Sequence, residues 1–237
     1  MTNSWINFWI GHTPKHVIAS EVCAQVLYDK YKFPVYRHVA YFKDKNTTNP
    51  FSRTRFTTPL LDDDVSDSDW VFYCDDDFLF LNDPRVLLRE LDDSKKVYVC
   101  KHDYTPKTAK KLDGEIQNTY ERKNWSSFMI FNKRKFDLKM SDIFEISLMD
   151  LHQFRWCDDK EIGEIHKSWN WLVGEYEEEP TSLNALHYTL GGPWYEEEAY
   201  QSKYNDLWLE YKDHYFPEAP PIYEGTNSYR LSQEGQL

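Results

Sequence analysis

The sequence predicts an α/β fold in which helices flank a mixed, mostly parallel central sheet. Three observations predict it. Apolar, β-prone runs alternate with helical patterns along the chain, several of those runs are apolar enough to be buried strands, and 237 residues suffice for one large domain with a sizeable core.

Trp5 to Ile10 reads as the first strand. Gly11 to Pro14 break it, and Pro14 suits the first turn of a helix reaching Tyr31, along which Val17, Ile18, Val22, Val26 and Leu27 recur at roughly helical spacing. Val35 to Ala40 is the next strand. Trp70 to Cys74 and Val97 to Lys101 read as buried strands, with a short helix from Pro84 to Leu91 between them. Ser126 to Phe131 adds a strand, Ser141 to Asp150 and Asp158 to His166 read as helices, and Ala185 to Thr189 is a short late strand. Residues 1–216 are expected to form a single domain. Pro217, Pro220 and Pro221 open a polar tail over 217–237 that packs loosely or is disordered.

Acidic residues number 40 and basic residues 28, a formal net charge of -12. A chain-wide attraction to nucleic acid or anionic membrane is disfavoured by that balance. Along the chain the charge is segregated: Asp62 to Asp93 holds 12 acidic and 2 basic residues, Lys95 to Lys135 holds 11 basic and 4 acidic, and Glu175 to Leu237 holds 13 acidic and 3 basic. Solvated faces of opposite sign would produce this pattern, and so would a site that binds a metal and an anionic ligand together. Aromatic residues make up 17% of the chain, which excludes disorder and either builds an aromatic core or lines a binding surface. Cys23, Cys74, Cys100 and Cys157 stand far apart without a CxxC pair and read as free thiols in a reducing compartment. The opening MTNSWINFWIGH has no basic n-region, and no run approaches the ~18–20 apolar residues of a membrane span. A cytoplasmic protein without membrane insertion is expected, in the host cytoplasm if viral.

The strongest local signal is WVFYCDDDFLFLNDP, in which Asp75, Asp76 and Asp77 close an apolar strand. Adjacent carboxylates beside a buried strand are costly unless a positive partner neutralises them. A divalent cation is an economical partner. In an extended segment Asp75 and Asp77 share a face while Asp76 points away, and hard oxygen ligands favour Mg²⁺ or Mn²⁺ over zinc. An acidic turn after a strand would look similar, but the carboxyl end of a central strand is where open α/β sheets bind ligands. Asp83 is expected to cap the following helix, and Asp62 to Asp64 to lie solvated in a turn.

YCDDDFLFLNDP resembles the metal-binding segment of GT-A fold glycosyltransferases, in particular family eight. HYTLGGPW, from His187 to Trp194, is similar to that family's late His-containing segment, and NWSSFMIFN to its Asn-Ser/Ala-Gly strand. CDDKEIGEIHKSWNWLVGEY resembles its Asp-Gln-Asp helix and the Trp-Asn segment after it, and FSRTRF its Arg-bearing helix. The order of the pieces agrees over most of residues 5–195. KHDYTPK and RKNWSS look most like small family-eight-like transferases of phages and bacteria. Two departures stand out: HYTLGGPW lacks the family's Lys, and Trp125 and Ser127 replace the Asn and Gly of the family strand.

The resemblance implies transfer of a sugar from a nucleoside-diphosphate sugar, UDP-sugar foremost, to an acceptor hydroxyl, with retention of configuration. It implies Mn²⁺ or Mg²⁺ held by Asp75, Asp77 and His187. Gly11, Arg55, Asp76, Lys101, Gly191, Gly192 and Trp194 would lie at the donor, with Lys101, Lys107 or Lys123 replacing the missing Lys. Asp159, or Asp158, would lie under the sugar ring. The basic stretch from Lys101 to Lys123 reads as a long loop over the donor and acceptor. The acceptor is a glycan or, by phage kinship, a hydroxymethylated base in DNA. A metal-dependent phosphoryl or nucleotidyl transferase, or an inactive sugar- or nucleotide-binding module, is the alternative reading.

Overall fold

The computed structural model describes residues 6–14, 17–39, 51–112, 114–195 and 202–219. The opening strand β1 (Phe8–His12) leads to helix α1 (Val17–Gln25), which continues as a π turn over Val26–Lys30 before β2 (Val35–Val39). A 3₁₀ turn (Thr54–Thr57) runs into α2 (Thr58–Asp63), then β3 (Trp70–Cys74) and β4 (Phe78–Phe80). Asp83 caps a 3₁₀ turn over Pro84–Arg89 by accepting from the Arg85 amide, as its sequence context predicts. Strand β5 (Val97–Val99) is followed by a 3₁₀ turn at Trp125–Ser127 and strand β6 (Phe128–Asn132). The remaining elements are α3 (Met140–Glu145), α4 (Leu148–His152), β7 (Ile162–Glu164), β8 (Trp171–Leu172), β9 (Ala185–His187) and α5 (Asn205–Tyr215). His16, Ala40 and the tail from 220 onward lie outside the described residues.

Six strands form one sheet in the order β2-β1-β3-β6-β5-β7, and β6 alone runs against the others. A second sheet, β4-β9-β8, carries the chain on from the carboxyl end of β3. Strand alternation divides the apolar side chains between two cores. Phe8, Ile10, Phe72, Cys74, Phe128 and Ile130 face α1, α5 and the second sheet, while Trp9, Val71, Tyr73, Met129 and Phe131 face Phe56, Ile143 and Leu151. Phe8 stacks on Phe72 across the sheet at 5.4 Å. Among the described residues, no helix is long and apolar enough to cross a membrane.

Three expectations are corrected. Ser141 to Asp150 is not one helix: it breaks at Ile146 and Ser147, where Ser147 Oγ caps α4 through the Asp150 amide and Arg53 Nη1 bonds the carbonyls of Ile143 and Ile146. Asp158 to His166 is a 3₁₀ turn (Asp159–Glu161) capped by Asp158, then strand β7. Gly163 is there because the Tyr98 ring covers it, and a Cβ would stand 2.3 Å from that ring. Asp62, expected in solvent, is fully buried. Its Oδ1 accepts from Asn7 Nδ2 and Trp9 Nε1 at 2.8 and 2.9 Å, and its Oδ2 from Lys133 Nζ at 2.9 Å. A local reading of DDD could not find Lys133, which arrives from the far end of β6.

Removing one partner of a buried ion pair strands the other. Asp62→Ala should therefore lower the urea unfolding free energy by about 3–5 kcal/mol. At exposed Asp64, Ala should change it by no more than about 0.5 kcal/mol.

Candidate active site

The carboxyl ends of β1 and β3 and the amino end of β6 converge at the middle of the sheet. There Asp75, Asp76 and Asp77 follow β3 in a turn rather than an extended segment. The Asp75 amide donates to the Ser127 carbonyl at 2.9 Å, which ties the turn to the start of β6. Tyr73 OH donates to Asp75 Oδ1 at 2.9 Å, and Arg55 Nη1 stands 3.0 Å from that same oxygen. Arg55 thus braces Asp75 and also donates to the Ser126 carbonyl at 2.9 Å. Burial pushes the Asp75 carboxyl up to about 6, although the Arg55 charge pulls it the other way; the Asp77 charge adds to the rise.

His187 comes from the last position of β9, which pairs with Phe78 just beyond the carboxylates. Its ring stacks on Phe78 at 4.5 Å, and its Nδ1 lies 2.8 Å from Asn170 Oδ1. Nε2 faces Asp77 Oδ1 at 3.3 Å. One ligand atom each from Asp75, Asp77 and His187 lies within 4.8 Å of the others. Two carboxylates and an imidazole at that spacing fit a divalent cation of the Mg²⁺ or Mn²⁺ kind.

These groups open into a cavity of about 220 Å³. Of the residues singled out from the sequence, Arg55, Asp75, Asp76, Asp77, Lys123, His187 and Gly191 line it. Asp76 is drawn in because the turn, unlike a strand, does not send alternate residues to opposite faces. Gly191, with φ at 109°, spends its amide on the Tyr188 carbonyl at 2.7 Å.

The others stand elsewhere for identifiable reasons. Gly11 is packed under Phe51 and the Tyr73 hydroxyl, and Thr13 lines the cavity in its place. Lys101 lies against the Trp125 ring, and Lys107 pairs with Glu177. Gly192 makes room for the Trp194 ring, 2.4 Å from where its Cβ would be, and Trp194 is buried against Tyr188 and Trp208. Asp159 is 81% exposed and bound to Arg122, while Asp158 caps its own 3₁₀ turn.

Sequence reasoning missed Ser126 and His152, which also line the cavity, and took Lys111 and Tyr120, which do too, only as part of the basic loop. Lys111 is delivered by a tight turn in which its amide bonds the Glu115 carbonyl and Leu112 bonds Leu190. His152 ends α4, with Nδ1 2.6 Å from Ser126 Oγ. Burial, reinforced by the charges of Arg55, Arg53 and Lys123, holds His152 well below the ordinary imidazole range, so it is neutral. Lys123, whose Nζ donates to the Asn118 carbonyl at 2.9 Å, is pushed down to about 8 by burial and by Lys111.

No protein-family model matches the chain. Protein CDI of Arabidopsis thaliana is 34% identical over 228 residues, covering 87% of this chain and 86% of that protein. Among solved structures, the galactosyltransferase LgtC in complex with donor and acceptor sugar analogues is similar at a TM-score of 0.55 and 12% identity, over 95% of this chain and 99% of LgtC. The glycosyltransferase GlyE of Streptococcus pneumoniae TIGR4 gives 0.51 and 13%, over 87% of this chain but 60% of GlyE. The fold is that of the GT-A glycosyltransferases.

Lys123 should lose its proton as pH rises through about 8, whereas a solvated amine keeps it to about 10.4. Reductive ¹³C-methylation followed by an NMR titration reads this directly, and Lys111→Met should move the Lys123 midpoint upward by removing a like charge.

Proposed function

The chain belongs to the same family as Protein CDI of Arabidopsis thaliana, and from the site it carries we propose that it is a metal-dependent glycosyltransferase acting on a nucleoside-diphosphate sugar. One observation carries this reading: the Asp75, Asp77 and His187 ligand atoms lie together at the carboxyl end of the central strand, in a cavity that also holds Arg55, Lys111 and Lys123. A cation site flanked by amines suits a diphosphate and has little use for an uncharged ligand. The fold similarity to LgtC and GlyE supports the same class. Family eight is the assignment favoured by YCDDDFLFLNDP and HYTLGGPW.

Asp75, Asp77 and His187 would hold Mn²⁺ or Mg²⁺. The ion's contribution is to stabilise the charge that builds on the departing diphosphate without a proton transfer. Lys123 and Lys111 take the place of the Lys missing from HYTLGGPW, since both line the cavity whereas Lys101 and Lys107 do not. Thr13, which follows β1 and lines the cavity, would meet the nucleoside, and UDP is the nucleotide first to be tried. His152, with Ser126, replaces Asp159 as the group beside the transferred sugar: a neutral imidazole suits a hydroxyl where a solvated carboxylate paired to Arg122 does not. The family-eight resemblance favours a retaining reaction, in which the leaving phosphate accepts the acceptor's proton. Glu115 and the 72% exposed Ile116 mark the cavity rim where an acceptor would approach, a glycan or a hydroxymethylated base. Residues 1–216 are read as the catalytic domain, and the cytoplasm as its compartment.

Purified protein incubated with Mn²⁺ and a panel of nucleoside-diphosphate sugars should show metal-dependent thermal stabilisation by one of them and slow release of nucleoside diphosphate. Asp77→Ala and His187→Ala should each weaken Mn²⁺ binding at least about tenfold and abolish the stabilisation. A panel in which no donor stabilises the protein would sink the transferase reading.

A further inference from the structure

Asn170 and His187 are both buried, at 0% and 2% exposure. The Asn170 amide touches the ring at Nδ1, 2.8 Å away, and its other end fixes which atom makes that contact. That far atom lies 2.8 Å from Ser127 Oγ and 3.4 Å from the Asn124 carbonyl oxygen. Ser127 Oγ in turn donates its proton to the same Asn124 carbonyl at 2.7 Å. An amide oxygen at the far position would meet a carbonyl, which only accepts, and a hydroxyl whose proton is committed elsewhere. The NH₂ satisfies both. The Asn170 oxygen therefore faces His187, and Nδ1 of the ring must be the donor.

In a neutral ring whose Nδ1 carries the proton, Nε2 is an acceptor. It faces Asp77 Oδ1, also an acceptor, at 3.3 Å. Two acceptors opposed at that distance repel unless a proton on Nε2 or a cation lies between them.

We infer that Asn170 is a positioning residue that locks His187 as its Nδ1–H tautomer, so that the Nε2 lone pair is presented, with Asp75 and Asp77, to a divalent cation. The inference rests on the cation site of the proposed function. Its anchor is the Asn124 carbonyl, and Asn124 itself sits at φ 63° with its side chain bonded to Tyr104 and Thr189. The lock thereby joins the long loop, the start of β6 and the segment after β9. A neutral amide also orients the ring without adding a further negative charge beside three adjacent carboxylates, as an aspartate would.

Two-bond ¹H–¹⁵N correlation spectra of the metal-free full chain above neutral pH read the tautomer directly. Nδ1–H is expected at His187, and Nε2–H overturns the inference. Mn²⁺ titration followed by electron paramagnetic resonance supplies the second reading. Asn170→Leu should weaken Mn²⁺ binding about 10–100-fold and let the Nε2–H tautomer appear at His187 in the two-bond spectra. A folded Asn170→Leu chain with undiminished Mn²⁺ affinity overturns the inference. Should the unaltered chain bind no Mn²⁺ yet show the Nδ1–H tautomer, the cation site of the proposed function falls while the lock itself is supported.

Discussion

The guanidinium of Arg55 and the carboxylate of Asp75 meet where β3 ends, side chains 5% and 14% exposed. A buried pair of this kind adds little net stability over apolar packing, but each member would be costly without the other. Its value here is geometric. Arg55 Nη1 also holds the Ser126 carbonyl, so one side chain from the Thr54–Thr57 turn fastens the carboxylate turn to the start of β6. With Asp75 committed to Arg55 and Tyr73, Asp77 is left to face His187, and Ser126 is left in reach of His152. The cavity is assembled around that bond.

The aromatic surplus works largely beneath the site. Phe8, Phe72 and Phe128 stack across neighbouring strands, and Trp171, Trp194 and Trp208 are fully buried. Close packing on both faces of the sheet leaves the strand ends little room to move, and a cation site needs that precision more than it needs chemically special residues. The Trp194 and Trp208 contact does the same for the turn after His187, where Gly192 yields its side-chain space to the indole. Trp194 is therefore a support for the site and does not line it.

A net charge of -12 argues against anionic ligands only if charge is treated as spread evenly. Folding brings Lys111 and Lys123, from the basic stretch, into the cavity that the three aspartates line, and a divalent cation there would tip that balance toward a diphosphate. Burial and the Lys111 charge bring the Lys123 pKa down to about 8, closer to neutral pH than a solvated amine, so its charge is sensitive to what enters the cavity.

Features carried by neighbouring residues were legible before folding. The strand at Trp70 to Cys74 has those bounds in the structure because an apolar run ends on charge; Asp83 caps the turn that follows, and Asp75 and Asp77 draw together with His187. The sequence by itself determined the alternating α/β order, the carboxylate cluster at the end of the central strand and the late histidine. Only the tertiary structure decided that Asp62 is buried on Lys133, that Asp158 and Asp159 stay outside the cavity while His152 and Lys111 enter it, and that Asn170 meets His187. Each of those outcomes depends on partners tens of residues apart, such as Asp62 and Lys133 at a separation of 71, or on a turn whose direction packing selects. Local spacing specifies which groups can do chemistry; burial and long-range pairing specify which of them share one volume.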